Sequence, residues 1–274
     1  MVRDLIARRR IHRRGSLKIR LDKLLVERGF TPSRERAQAL ILAGKILVNE
    51  QKVDKAGTQI DSDAALRVLG DDLRYVSRGG LKLEKALDHW RNDLQDRVCL
   101  DVGASTGGFT DCMLQHGAAK VVAVDTGYGQ MDFRLRSDPR VRLLEKVNAR
   151  YLRRDVIGEP VDFIAMDVSF ISATLVLPAV VEAAGFLNDQ KIRPREIVVL
   201  AKPQFEVGRE LVGKGGIVRD PEAQLDAVKK VESALRQLGA GRTEYMDSPI
   251  LGAEGNREFL LHGEWAVQPV PHGG

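Results

Sequence analysis

The chain has only two cysteines in 274 residues, Cys99 and Cys112, and their spacing fits no metal-ligand pattern. No disulfide framework or metal centre is therefore expected, and a reducing, cytoplasmic compartment suits both as small buried apolar residues. No apolar run approaches the roughly 20 residues that a membrane-spanning helix needs. The first 18 residues, MVRDLIARRRIHRRGSLK, are basic but lack the apolar stretch of a secretory signal. Two glycine patterns that cradle phosphate are also missing: the G-x-x-x-x-G-K-[ST] of a P-loop and the G-x-G-x-x-G of a dinucleotide fold. Nucleotide chemistry that depends on a pyrophosphate cradle is disfavoured from the outset.

What remains is a composition of 43% hydrophobic and 30% charged residues. That is the balance of a globular protein with room for one large domain and a smaller module. The net charge of +5 is unevenly placed. Residues 1–36 hold 12 Lys+Arg against 4 Asp+Glu, a net of +8, which leaves the other 238 residues at −3. A basic end on a near-neutral body fits a module that binds a polyanion, with nucleic acid the usual partner.

Beyond the basic extension at 1–18, residues 19–70 form a small unit of their own. RLDKLLVERGF and SRERAQALILAG carry helical periodicity, with Leu21, Leu24 and Leu25 on one face and Ala37, Leu40 and Ile41 on the other. Ser33 is placed as an N-cap, and Gly29 and Gly44 as the residues just past the helix ends. Alternating short runs then predict strands. Arg20, Ser33, Arg34, Arg36 and Lys45 fall at helix starts and at a helix–strand turn, where backbone N–H groups and cations jointly hold phosphates. RLDKLL, SRERAQ, AGKILVN and the K-x-G at 55–57 resemble an S4-type RNA-binding domain, which implies recognition of RNA by shape and backbone.

Residues 71–78 read as a linker, and the periodicity changes after it. VCLDVG, KVVAVD, VRLLEKV, DFIAMDV, EIVVLAK, TEYMDS and EFLLHG are short apolar runs alternating with helical segments across 79–265, ahead of a tail at 266–274. The fold class is therefore α/β: a Rossmann-like, doubly wound and largely parallel sheet preceded by a small α+β module. Ligands in such sheets sit at the carboxyl ends of the strands.

The first strand runs into DVGASTGGF at 101–109, where Gly103, Ser105, Thr106, Gly107, Gly108 and Phe109 make the loop and helix start expected to hold a cofactor. Asp101 ends its strand with a carboxylate that would repel pyrophosphate but suits an ammonium group. Asp125, some 20 residues on, stands where an acid accepts hydrogen bonds from ribose hydroxyls. A cofactor with a ribose, a positive charge and no phosphate satisfies both, and S-adenosylmethionine is that molecule. Glu145 and Asn148 are candidates for its adenine edge.

Asp167 and Lys202 end the fourth and fifth strands. Neighbouring parallel strands lie about 4.8 Å apart, so an acid and a base at adjacent tips can meet. A salt bridge closing the sheet explains the pair alone; a catalytic site needs a second cation and a second acid, for which Lys82 and Glu258 are placed. A lysine so surrounded can take the proton of a ribose hydroxyl. A second lysine lowers its proton affinity, and the acids raise it.

SRGGLKL, DVGASTGGF, MDVSFIS, KPQFE, KGGIVRD and GNREF together resemble the TlyA-type, or hemolysin A, family within the FtsJ-like (RrmJ-type) methyltransferases. The resemblance implies a Lys-Asp-Lys-Glu tetrad, matched here by Lys82, Asp167, Lys202 and Glu258, and a cytidine 2′-hydroxyl of ribosomal RNA as acceptor. Ribosomal RNA or ribosomal subunits are the implied partners. Glu254 competes for the last position, but the G-N-x-E-F context favours Glu258. A non-catalytic assembly factor and a membrane-active hemolysin are the alternatives. Three further readings attach to this domain. The glycines of SRGGLKL are expected to hinge the two modules. The loop 206–220, with Arg209 and Lys214, is either an RNA-contacting lid or an ordinary surface loop. Phe170 and Phe205 are expected in the core, with base stacking the other possibility.

Overall fold

The computed structural model describes residues 18–28, 30–31, 33–68, 74–187, 194–252 and 255–266. The basic extension through residue 17, Gly29, residues 71–73 of the expected linker, Glu254 and the tail from residue 267 lie outside the described residues. Two compact units, Met1–Asp72 and Leu73–Gly274, make up the chain.

The first unit runs β1 (Lys18–Arg20), α1 (Leu21–Glu27), α2 (Arg34–Leu42), β2 (Ile46–Val48), β3 (Gln51–Lys52), β4 (Gln59–Asp61) and β5 (Leu66–Val68). β1 pairs antiparallel with β4, and β2 lies between β3 and β5. Leu21, Leu24 and Leu25 of α1 and Ala37 and Ile41 of α2 close over Ile46, Val48 and Ile60, so the helical stripes legible in the sequence are the core. Ser33 caps α2 by accepting from the Arg36 N–H, a contact worth about 1 kcal/mol. Gly44, just past the helix, takes a left-handed φ of 63°.

The second unit runs α3 (Gly79–Trp90), β6 (Val98–Val102), α4 (Gly108–Gln115), β7 (Lys120–Val124), α5 (Phe133–Arg136), β8 (Val141–Leu144), α6 (Arg154–Ile157), β9 (Phe163–Met166), α7 (Ala173–Ala183), β10 (Arg195–Ala201), α8 (Pro203–Glu206), α9 (Pro221–Gln237), β11 (Arg242–Asp247) and β12 (Phe259–Trp265). The sheet order is β11-β12-β10-β9-β6-β7-β8. The strands from β10 to β8 are mutually parallel, and β12 enters antiparallel between β10 and β11.

Near-continuous apolar runs form the central strands because both faces are covered. Leu100, Val102, Ile164 and Val199 pack on the side of α7 and α9, whereas Cys99, Val121, Ala165 and Leu200 pack on the side of α3 and α4. From β6 the chain leaves through α4 on one face; from β9 it leaves through α7 on the other. The carboxyl ends of β6 and β9 therefore diverge, and such a switch point opens a crevice for a ligand.

Residues 74–78, read as linker, belong to this unit. Tyr75 is buried in its core, and the Val76 N–H donates to Asp111 Oδ2 at 2.8 Å. The expected glycine hinge is likewise corrected. Gly79 and Gly80 form the first turn of α3, and a Cβ on Gly80 would sit 2.3 Å from the Tyr75 ring. These glycines let a helix start press against its neighbours.

Candidate active site

Two cavities open at the carboxyl edge of the large sheet, with volumes of about 290 and 320 Å³. They share Gly103, Ser105 and Asp167 in their walls. The first is walled further by Lys82, Thr106, Gly108, Phe109, Lys202 and Glu258, and the second by Asp125, Asn148 and residues 168–171. Most residues singled out in the sequence thus converge on one crevice.

The four charged residues arrive from four elements. Asp167 follows β9, and Lys202 follows the neighbouring β10. Because β12 runs antiparallel, with Phe259 opposite Ala201, it is its beginning that reaches this edge and brings Glu258 there. Lys82 comes from the first turns of α3. The residues sort into two ion pairs: Lys82 Nζ to Glu258 Oε2 at 2.5 Å, and Lys202 Nζ to Asp167 Oδ1 at 2.6 Å. Each lysine faces an acid of its own. Lys202 also donates to Ser169 Oγ at 2.6 Å.

The pairs differ in burial. Side-chain exposure is 10% and 3% for Lys82 and Glu258, against 11% and 24% for Lys202 and Asp167. Removing one partner of a buried pair costs about 3–5 kcal/mol, because the other is stranded without water. Lys82→Ala is expected to lower the melting temperature clearly more than Lys202→Ala, a difference that thermal melts of both variants will read. Gly252 protects the same carboxylate, since a Cβ there would meet Glu258 Oε1 at 2.5 Å.

The glycine loop is built by close approach. Gly103 has φ 85°, and a Cβ on it would lie 2.2 Å from the Asp167 carbonyl oxygen. This glycine lets β6 and β9 touch at the switch point. A Cβ on Gly107 would strike Leu135, and one on Gly108 would strike Ser77 Oγ. Ser105, at φ 47°, is turned so that its N–H donates to Asp125 Oδ2 at 2.7 Å, while Asp125 Oδ1 accepts from Gly127 at 2.6 Å. Asp125 accordingly ties the Ser105 and Gly127 loops together as well as lining the second cavity.

Asp101 is wholly buried. Its Oδ2 accepts from Thr110 Oγ1 at 2.6 Å, but Oδ1 has no hydrogen-bond partner. Burial pushes its carboxyl up to about 7, opposed by the Thr110 hydrogen bond. Asp101 lines neither cavity, so its orphaned oxygen lies behind the glycine loop that does line them, where it is the complement of a proton or of a cationic group that reaches past that loop. Glu145 stands apart: it accepts from Gly129 N–H at 2.7 Å, pairs with Arg136 at 2.5 Å, and lines neither cavity. Asn148 does line the second cavity, where it accepts from the Arg150 N–H.

Phe170, expected in the core, is 92% exposed and takes a left-handed φ of 65°, with Phe205 against it at 5.4 Å between centroids. The loop after α8 is pinned: Asn256 donates to the Gly216 carbonyl and accepts from the Val218 N–H. Arg209 and Lys214 are exposed on it and line neither cavity. Ser169, Asn256 and Glu206 are the contributors that sequence reasoning missed. Each is an ordinary polar letter whose partner is distant in the chain.

In the first unit, Asp22 is buried and gathers Arg20, Arg34 and Gln38. The Arg20 guanidinium holds the Asp22 carboxyl well below the usual range, with Gln38 and Arg34 adding to it. Arg20 and Arg34 are thus clamped, their guanidiniums still partly exposed, whereas Arg36 and Lys45 stand in solvent.

Residues 75–265 match the model of the FtsJ-like methyltransferase family, and residues 19–66 that of the S4 domain. YqxC of Bacillus subtilis, named an rRNA methyltransferase, is 47% identical over 251 residues, which cover 91% of this chain and 87% of that protein. TlyA of Mycobacterium tuberculosis, named a 16S/23S rRNA (cytidine-2′-O)-methyltransferase, is 45% identical over 88% of each chain. Hemolysin A of Brachyspira hyodysenteriae is 40% identical over 89% of this chain and 99% of that protein. A Streptococcus thermophilus structure solved under a hemolysin name superposes with a TM-score of 0.67 at 41% identity, covering 92% of this chain and 90% of that one. The chain belongs to the FtsJ-like methyltransferase family, in its TlyA-type branch that carries an S4 domain.

Proposed function

We propose that the protein is a ribosomal RNA 2′-O-methyltransferase that uses S-adenosylmethionine and acts on a cytidine ribose. The observation that carries this reading is the pair of ion pairs, Lys82–Glu258 and Lys202–Asp167, lining one cavity that shares Gly103, Ser105 and Asp167 with a second. Relatives named for this activity span nearly the whole chain.

S-adenosylmethionine supplies, when bound, a methyl group on a sulfonium. Asp101, the loop from Gly103 to Phe109, Asp125 and Asn148 would hold it, with the Asp101 carboxylate toward the amino-acid end and Asp125 toward the ribose. The acceptor 2′-hydroxyl enters the cavity walled by Lys202. Lys202 donates to Ser169 and lies 2.6 Å from Asp167 Oδ1 in an ion pair, so both residues hold its nitrogen at the cavity wall, where it would receive the hydroxyl proton. The same wall would hold the ribose oxygen toward the methyl group that the cofactor supplies. Lys82 and Glu258 keep a fixed, neutralised pair beside the reacting oxygen, which needs no reorganisation during transfer.

The surface around the second cavity suits RNA. Tyr128, Phe133, Tyr151 and Phe170 are exposed, with Lys146 and Arg136 over the Tyr128 ring and Arg150 over Tyr151. Residues 126–155 hold eight Lys+Arg against four Asp+Glu, a net of +4, although the chain from residue 37 onward is net negative. Aromatic faces among cations are what unstacked bases and their phosphates bind. A ribosomal substrate places the protein in the cytoplasm. Among the described residues no helix is long and apolar enough to cross a membrane.

The test is transfer of labelled methyl from S-adenosylmethionine to ribosomal RNA, free subunits and assembled ribosomes, followed by mapping of the modified nucleotide. Label on a cytidine 2′-oxygen supports the reading; no incorporation on any substrate defeats it. For the S4 unit, Arg36→Ala with Lys45→Ala in the full chain is expected to weaken RNA binding and reduce the salt slope by about one for each phosphate that the variant no longer neutralises. Filter binding across a salt series measures this, and an unchanged slope would remove both residues from the interface.

A further inference from the structure

Glu206 is buried, and no step of the mechanism uses it. Its Oε1 accepts from the Ala173 N–H at 2.6 Å, and its Oε2 accepts from Ser172 Oγ. Lys230 donates to its backbone carbonyl and keeps its ammonium 3.8 Å from the carboxylate. A buried carboxylate therefore satisfies the first turn of α7 from outside the helix, where a negative charge is favoured. Ser172 caps the same turn through the Thr174 N–H.

The segment between the anchors holds the chemistry. At one end the Asp167 N–H donates to the Val102 carbonyl at 2.9 Å, fixing the chain to β6. At the other end Ser172 and Ala173 are held by Glu206. Between them lie Ser169, which accepts from Lys202, and Phe170, whose left-handed backbone costs on the order of 1–3 kcal/mol and persists only where its surroundings enforce it. The facing stretch, Lys202–Glu206, meets this segment at three successive points: Lys202 at Asp167 and Ser169, Phe205 at Phe170, and Glu206 at Ser172 and Ala173. Glu206 lines neither cavity, so it acts only through the segment it grips.

We propose that Glu206 is a positioning residue that locks the segment 167–173 against the exit of β10, so that Asp167 and Ser169 meet Lys202 and Phe170 is presented to the acceptor strand. The proposal rests on the methyltransferase reading for its kinetic consequence but not for its structural one. Misplacement of a reacting group by about 1 Å costs about 100-fold in rate.

Glu206→Ala and Glu206→Gln in the full chain, with amide hydrogen exchange over 167–174, kcat, KM for RNA, cofactor affinity and melting temperature measured for each, decide the matter. Glu206→Ala is expected to exchange faster across 167–174 and to lose about 10- to 100-fold in kcat, with a smaller change in cofactor affinity. Glu206→Gln keeps an oxygen for the Ala173 N–H and should recover most of both. Ser172→Ala, which removes one hydrogen bond and leaves the carboxylate, should move the same readouts less, and it serves if Glu206→Ala does not fold. Wild-type kcat in Glu206→Ala, even with a lower melting temperature, would reduce Glu206 to a merely structural role and overturn the proposal. Unchanged exchange over 167–174 would overturn it as well. An inactive wild type would defeat the methyltransferase reading instead, while the exchange data still judged Glu206.

Discussion

Methyl transfer by Lys202→Ala is expected to fall about 10²- to 10⁴-fold, the range that loss of a positioned general base produces. Cofactor affinity should change little on the proposed reading, because Lys202 lines only the first cavity, whereas Asp125 and Asn148 line only the second. Lys202→Arg should fail to rescue. A guanidinium stays protonated at any working pH, so it can meet Asp167 but cannot receive a proton. Folding is not the confounder here, since the Asp167 side chain keeps 24% exposure and remains accessible to water when its partner is removed. Single-turnover transfer to ribosomal RNA measures the effect, and activity close to wild type in Lys202→Ala would transfer the base role elsewhere.

Asp101→Asn should separate stability from function in opposite directions. Burial raises the Asp101 carboxyl to about 7 in the folded protein, against about 3.9 in an unfolded chain. Between those values the native state holds a proton that the unfolded state has released, so folding stability falls as pH rises through the window and levels off above about 7. The total loss is on the order of 4 kcal/mol for a shift of about three units. Asparagine has no such titration. The variant should therefore exceed wild type in denaturant stability by a margin that grows from pH 4 to pH 7. Cofactor affinity should drop about 10- to 100-fold, as expected when a hydrogen bond to a charged group is lost. Denaturation at pH 5 and pH 8, with titration calorimetry, tests both halves. A variant less stable than wild type at pH 8, or one with full affinity, would remove Asp101 from the cofactor site.

The sheet was legible because strands covered on both faces read as unbroken apolar runs, and Asp167 and Lys202 were legible as the first polar groups beyond two such runs. Glu258 had no comparable signal. Its place depends on β12 running antiparallel, which no local pattern in GNREFLLHG encodes; the sequence put it only at the entry to a last strand, and the family resemblance supplied its role. Ser169 and Glu206 escaped because a serine and a glutamate reveal their partners only across strand tips. Phe170 was misplaced in the core because apolarity predicts burial on average and cannot register a left-handed backbone that turns one ring outward. The glycines of SRGGLKL were misread for a related reason. Glycine permits both a hinge and a tight helix crossing, and the Tyr75 ring against Gly80 decides between them. Arg20 and Arg34 look free for phosphate in the sequence, yet Asp22, the second residue of α1, gathers them both.

The order in which the chain is made gives the antiparallel last strand a temporal meaning. Lys82 and Glu258 are 176 residues apart, and among the described residues β11 has no neighbour in the sheet other than β12. The first unit precedes the second along the chain and folds as a unit, whereas the edge bearing Glu258 cannot close until β12, which follows the other described strands of its sheet, has been made. A chain stopped before Phe259 would hold the first unit complete and the β10 edge of the large sheet uncovered, so closure of that edge waits on one eight-residue stretch from Glu258 to Trp265.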